Sequence, residues 1–453
     1  MKLNRKLLAT GVLAASLCAS QAWGAVSAGE AAKLGDTLTP MGAEKAGNGG
    51  AIPEWTGGLK SAPAGYKGDG IYVNPYPNET AEFVIDQSNV DQYADKLSPG
   101  QVAMIRQYPD YKIPVYKTHR SATYPQEVMD ETVENATKVE LIQSGNGLGN
   151  YESATPFPIP QNGLEAIWNH ITRYRGGSIQ RNVGQVTPTA GGDYSVVKFQ
   201  DELTWNSYLS DYTKGQDDNV LFYFKQAITA PARLAGNVLL VHETIDQVAE
   251  PRRAWIYNAG QRRVRRAPQV AYDGPGTAAD GMRTSDNFDM FNGAPDRYNW
   301  ELIGKKEMYI PYNSYKLVDR SLGYDEIIKA GHINQDLTRY ELHRVWHVRA
   351  TLKEGERHVY AQRDFYIDED SWQAAVIDHY DGRGELWRVA EAHSMQFYDQ
   401  QVPWYAIEVL YDLLSGRYLA LGLTNEESNP YTFSVERQSR DFTPAALRRA
   451  GTR

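Results

Sequence analysis

Val238-Leu-Leu-Val241, Arg253-Ala-Trp-Ile-Tyr257, Asn258-Ala-Gly-Gln261 and Arg262-Arg-Val-Arg-Arg266 together decide the fold. The two runs on either side of the turn are rich in β-branched, aromatic and long side chains. A short Asn/Gly segment in which Gly260 can take positive φ separates them, so the stretch predicts a hairpin. Sheet therefore carries this chain. A polar connection of little periodicity follows from Asp273 to Asp296, and then a further strand over Lys306–Ile310.

Outward from the hairpin, strands are expected over Tyr194–Phe199, Val220–Ile228, Arg339–Leu352, Arg357–Ile367, Trp372–Tyr380 and Leu386–Tyr398. Turn-like links such as Lys353-Glu-Gly-Glu356 and Asp381-Gly-Arg-Gly384 make successive strands antiparallel, a meander that curls into a barrel or half-barrel. Ala406–Leu414 is apolar enough to add a helix. The prolines of Thr155-Pro-Phe-Pro-Ile-Pro160 force extended backbone. Just beyond them, Leu164, Ile167, Trp168 and Ile171 fall at helical spacing over Gly163–Arg175. Upstream, residues 25–150 read as a mixed loop- and helix-rich section. It has a capped helix at Ser27, helices broken at Pro99-Gly100, a strand over Val115–Arg120 and a helix over Pro125–Ile142. The sheet domain is expected over 151–430 and a polar tail over 431–453.

The chain opens with basic Met1-Lys-Leu-Asn-Arg-Lys6, then apolar Leu7–Ala19 and small residues, which predicts a cleavable secretory signal over 1–24 and a mature start at Ala25. Cys18 is the sole cysteine, lies within that signal, and follows Leu17 where lipidation needs a small residue. The mature chain is thus expected to be periplasmic, unlipidated and without disulfides or a transmembrane segment. Losing Lys2, Arg5 and Lys6 takes the formal charge from −9 to −12, which disfavours nucleic acid as a partner.

Trp168-Asn-His170, Arg262-Arg-Val-Arg-Arg-Ala-Pro268 with the following Ala-Tyr-Asp273, Phe291-Asn-Gly-Ala-Pro-Asp296 and Asp381-Gly-Arg-Gly384 occur in order. In these strings the chain resembles the secreted Gram-negative family known as domain of unknown function 1329, from about Val26 to about Glu427. Members are labelled outer-membrane lipoprotein-sorting proteins. The resemblance implies a β-rich α+β fold: a curled antiparallel sheet, an open half-barrel like that of the periplasmic carriers LolA and LolB, with lidding helices over a hydrophobic cavity and an additional N-terminal mixed section. It also implies partners, an outer-membrane barrel and an efflux-type inner-membrane exporter, in an envelope transport system.

A carrier of this kind binds a lipid or another hydrophobic ligand by apolar burial, each methylene contributing roughly 0.8 kcal/mol, with no cofactor required. Thirty Tyr and ten Trp suit such a lining, since an apolar ring can face the ligand while its polar edge finds a hydrogen bond. Strand alternation puts Trp255 and Tyr257 on one face, and Trp346 with Tyr340, Leu342, Val348 and Leu352 on another. The expected ligand-binding residues are Trp255, Tyr257, Trp346, Val359 and Phe365, with Trp168 and His170 from the helix. Arg263 and Arg265 share a face of the hairpin and are expected to meet an anionic headgroup or a partner. The same rings could equally fill a core, and the arginines could pair with acids of the chain.

Catalysis finds less support. His343 and His347 share a strand face, but no His-Glu-x-x-His string accompanies them, and no metal site is expected. Asp368-Glu-Asp370 and Asp378–Asp381 hold carboxylates that could serve glycoside hydrolysis, so a secreted carbohydrate-active enzyme or glycan-binding β protein is the alternative reading. They sit at strand ends, where Asp commonly bonds backbone. No Gly-x-Ser-x-Gly elbow or phosphate-binding Gly-rich loop occurs.

Overall fold

The computed structural model describes residues 25–216, 218–267 and 272–451. The expected signal 1–24 with Cys18, and Pro268 and Ala271 of the motif strings, lie outside the described residues. In chain order the strands are β1 Phe83–Ile85, β2 Ile113–Val115, β3 Glu140–Ile142, β4 Gly147–Gly149, β5 Ser178–Val186, β6 Val197–Trp205, β7 Val220–Ala230, β8 Val238–Thr244 and β9 Arg253–Asn258. They continue as β10 Arg263–Arg266, β11 Tyr298–Pro311, β12 Tyr340–Leu352, β13 Gln362–Asp368, β14 Ala374–Tyr380, β15 Leu386–Phe397, β16 Val402–Asp412, β17 Arg417–Leu423 and β18 Tyr431–Phe433. The α-helices are α1 Ala28–Ala31, α2 Pro99–Gln107, α3 Gln126–Asn135, α4 Gly163–Thr172, α5 Tyr324–Ile327 and α6 Pro444–Gly451.

Sixteen strands form one sheet in the order β1-β2-β12-β13-β14-β15-β16-β17-β5-β6-β7-β8-β9-β10, with β11 added on β12 and β18 on β5. Its pairs are antiparallel except where β2 meets β12 at Val115 and Tyr340. The path ends at β1 and β10 without joining, so the sheet is open. Its curl follows from side-chain reach. Gln101 Nε2 donates both to the Tyr309 carbonyl on β11 and to Glu391 on β15, each at 3.1 Å. In a flat sheet those strands, four places apart, would be roughly 19 Å from one another. Only a strongly bent sheet lets one amide touch both.

α2 occupies that bend, on the face of β14 and β15 that carries Asp378, Val389 and Glu391. α2 begins at Pro99 behind a Ser98 capping box with Gln101, so Pro99-Gly100 starts a helix where a break was expected. Ser98 Oγ and the Gly100 N–H both donate to Asp378 of β14, at 2.9 and 3.1 Å. A Cβ on Gly100 would come within 2.1 Å of that carboxylate, so glycine is required there. α4 lies on β11 and β12 with nine of its ten residues buried. Residues of the N-terminal section pack into the same continuous core as the sheet, from Ile52 and Tyr72 through Leu423.

Several local expectations change: the helix expected over Pro125–Ile142 ends at Asn135 with Glu140–Ile142 in β3, and of the strand expected over Val115–Arg120 only Val115 lies in β2. Residues 402–412, part of which was expected to be helical, are strand β16, and every one of them is buried. An apolar run reads alike for helix and for a two-sided strand, and here the strands on either side decide. In the hairpin turn Arg262, at φ 54°, takes the left-handed conformation, and Gly260 does not.

Candidate functional site

On the face that carries Arg363, His379 and Arg388, opposite to α2, strands β5 to β9 leave a cavity of about 270 Å³. Alternate residues of five neighbouring strands face it: Ile179 and Arg181, Asp201 and Leu203, Phe222, Phe224 and Gln226, Leu239 and Val241, and Ile256. The cross-strand register brings these residues level, as with Arg181 opposite Asp201 and Leu239 opposite both Gln226 and Ile256. Trp404 of β16 and Arg175 close one side. The roof is the polar connection between β10 and β11, which contributes Pro275, Gly276, Thr277, Arg283 and Phe288. Ile256 is 41% exposed, so the cavity wall reaches solvent at β9.

Ion pairs hold the roof down. Asp289 Oδ1 accepts from Arg173 Nη2 at 2.6 Å and from Trp404 Nε1 at 2.9 Å, and Oδ2 accepts from Arg175. Burial alone would raise this carboxyl, but Arg173 and Arg175 hold it down at about 2. Asp286 is bound by Arg363 at 2.7 Å and His358 at 3.0 Å, and Asn287 Nδ2 donates to His379 Nε2 at 2.7 Å. Gln185 donates to the Ala278 carbonyl, and Arg388 to that of Gly281. The connection is thus riveted to both flanks of the sheet, although its described residues form no α-helix.

Inside, the site divides into an apolar half and a charged half. Ile179, Leu203, Phe222, Phe224, Leu239 and Val241 form the first. In the second, Asp201 is bonded by Arg181 at 2.9 Å and Gln226 at 3.0 Å, and Arg252 pairs with Glu243 at 2.6 Å. Glu408 of β16 is fully buried, and among the described residues no basic side chain comes within ion-pair distance of it. Burial pushes its carboxyl up to about 7, against the pull of nearby Arg283.

That shift has a sign. The folded chain keeps a proton on Glu408 that the unfolded chain has released above its ordinary value of 4.5. Stability is therefore expected to fall as pH rises from there toward 7, by ~3 kcal/mol from this group. Urea unfolding at about pH 5 and about pH 8 measures the slope, and Glu408→Gln is expected to flatten it. Identical slopes in the two proteins would contradict the assignment.

Residues 84–448 match a family model described as a protein of unknown function, DUF1329. The chain belongs to the DUF1329 family. It is 68% identical, over 455 residues and the whole of both chains, to the uncharacterized protein PA3922 of Pseudomonas aeruginosa. Among solved structures it is similar to a DUF1329 family protein from Desulfovibrio piger, at 13% identity and TM-score 0.41, over 60% of this chain and 92% of that one. A LolA superfamily protein, NE2245 from Nitrosomonas europaea, aligns at 14% identity and TM-score 0.35, over 60% of this chain and 93% of that one.

The residues singled out in this DUF1329 sequence sit elsewhere than on the cavity wall. Trp168 is fully buried with Nε1 donating to the Gly145 carbonyl at 2.8 Å. His170, also buried, accepts the Ala374 N–H on Nδ1 at 3.0 Å, and burial keeps its pKa well below the usual imidazole value. Trp255 and Tyr257 do share a face, but it is the opposite one, packed with Phe442 and Leu447 of the C-terminal segment, while Ile256 between them faces the cavity. Trp346 stacks on Trp372 at 6.3 Å beneath Lys305. Phe365 is fully buried against Phe291 and Trp300, and Val359 is 41% exposed in a connection. Arg263 and Arg265 are exposed on β10, and Arg265 stands opposite Ile256, so both arginines share the cavity face at its outer edge.

The wall residues had one signal in the sequence. Arg181, Asp201 and Gln226 interrupt strands otherwise suited to burial, and charged residues at inward positions mark a site as much as rings do. Elsewhere, His343, Asp368 and Asp370 bring ligand atoms within 4.8 Å of one another. Each already has a partner: Glu341 for His343, Arg120 at 2.6 Å for Asp370, and Ser371 and Tyr312 for Asp368. A guanidinium thus stands where a divalent ion would need open carboxylate. His347 pairs separately with Asp364 at 2.9 Å. A larger and more open hollow of about 560 Å³ near β4 has a mixed lining, with Ile142, Leu148 and Ile245 beside Lys138, Glu152 and Asp218.

Proposed function

We propose that this protein is a periplasmic binding and transfer protein for a lipid or another hydrophobic molecule, delivered across the inner membrane by a signal over residues 1–24. The observation that carries the reading is the apolar cavity beneath the fixed 273–293 roof. It opens at Ile256, and the guanidinium groups of Arg263 and Arg265 stand on the same face beside that opening. An apolar ligand gains roughly 0.8 kcal/mol per methylene moved from water into such a space. No helix among the described residues is long and apolar enough to cross a membrane. In this reading the chain serves an envelope system with an outer-membrane barrel and an efflux-type exporter, and no covalent step is needed.

The test is titration with the neutral fluorophore N-phenyl-1-naphthylamine, which brightens in apolar surroundings. Saturable binding of one probe per chain, displaced by single-chain amphiphiles, is expected. A linear, unsaturable response would overturn the reading, and depolymerisation of a glycan by the purified chain would favour a carbohydrate-active enzyme instead.

A further inference from the structure

Arg283 stands apart from the other buried arginines. Arg120, Arg173, Arg175, Arg181, Arg339, Arg363 and Arg388 each have a carboxylate within 4.0 Å. Arg283 is 3% exposed, and among the described residues it has no such ion pair; its Nε meets no acceptor. A guanidinium out of water and unpaired is costly, so a protein that keeps one in a cavity wall keeps it for something that arrives.

Its position is fixed. The Arg283 carbonyl accepts the Gly276 N–H at 2.9 Å, and the guanidinium lies over the Phe288 ring at 5.1 Å to the centroid. The acids around it are engaged elsewhere or lie beyond ion-pair distance. Asp201 is taken by Arg181 and Gln226, Asp289 by Arg173 and Arg175, and Glu408, whose carboxyl burial pushes up, comes no nearer to Arg283 than 4.0 Å. The charged end of the cavity therefore has spare positive character, directly continuous with the apolar wall of Phe222, Phe224 and Leu239.

We infer that the ligand is an anionic amphiphile with one acyl-type chain, its acid head received by Arg283 and its chain lying along the β7–β8 wall. This rests on the proposed binding function and specifies its ligand. The single chain follows from size: about 270 Å³ is at the lower edge of small-molecule pockets, which span roughly 300–1,000 Å³. A guanidinium offers paired donors in the geometry of a carboxylate or a phosphate, so both head chemistries fit. Arg263 and Arg265 at the opening present the same sign of charge to an entering anion.

The experiment compares dodecanoate, dodecyl phosphate and dodecanol as displacers of N-phenyl-1-naphthylamine, with the full mature chain and its Arg283→Met, Arg283→Gln and Arg283→Lys variants. Dodecanoate, dodecyl phosphate or both should bind wild type more tightly than dodecanol, and the stronger of the two identifies the head group. A charge-assisted hydrogen bond predicts a loss of roughly tenfold to a hundredfold for the anions in Arg283→Met, with dodecanol unchanged and part of the loss recovered in Arg283→Lys. If Met fails to fold, Gln supplies the same comparison. Equal affinities of acid and alcohol for wild type, or parallel weakening of both in the variants, would overturn the inference while leaving hydrophobic binding intact. Failure of all three to displace the probe from wild type would instead overturn the binding function itself.

Discussion

Asp289→Ala is expected to destabilise the protein by about 3–5 kcal/mol, the cost of leaving buried charges without their counterion. Arg173 and Arg175 are both buried, and Asp289 is the carboxylate that each has within 4.0 Å. Removing it also strips the acceptor from Trp404 Nε1. Because this one side chain ties the roof to the end of α4 and to β16, the loss should be accompanied by greater proteolytic cutting within 273–293. Asp289→Asn keeps an acceptor for Trp404 and one guanidinium and should cost less. The depressed carboxyl carries a second signature. Stability that it supplies is present above the ordinary value of 3.8 and is lost as pH falls toward about 2, so the acid limb of the unfolding curve should shorten in Asp289→Ala. Urea midpoints measured at neutral and at acid pH check both statements, and an Ala variant as stable as wild type would contradict the riveted roof.

Leu239→Trp is expected to weaken ligand binding severely and to leave the fold in place. Leu239 is half-buried on β8, level with Ile256 and Gln226, and points into the cavity. Extra bulk in a packed core costs about 1–3 kcal/mol, but here the indole enters space that is already open. The unfolding midpoint should therefore hold or rise while probe affinity falls on the order of a hundredfold. Trp346→Asp makes the useful contrast: Trp346 stacks on Trp372 away from the cavity, so its loss should lower stability and leave the affinity of the remaining folded protein unchanged.

Much of the sheet was legible, because short turns between alternating runs constrain antiparallel order. The hairpin at β9 and β10 and the strands from β12 to β15 are local in origin. The cavity was not legible, for a physical reason visible at three adjacent residues. Alternation says that Trp255 and Tyr257 share a face and that Ile256 takes the other, but not which face meets the hollow. Phe442 and Leu447, nearly two hundred residues downstream, fold back and cover the aromatic side. With that face taken, Ile256 is left to line the site. Phe365 and Trp168 mislead similarly: these rings pack in the core, and the cavity is walled by Leu, Ile, Val, three Phe residues and Trp404 beside charges. β16 was misread because eleven buried residues carry no alternation to separate strand from helix.

In the proposed function the space under the 273–293 roof holds one amphiphilic ligand. Native mass spectrometry of the chain purified from its own envelope without detergent tests it most directly, with Leu239→Trp prepared alongside. Wild type is expected to carry a single adduct of lipid-like mass, released by organic solvent, and Leu239→Trp to fly at the bare mass of the polypeptide. The same adduct on both proteins, or on neither, would contradict it.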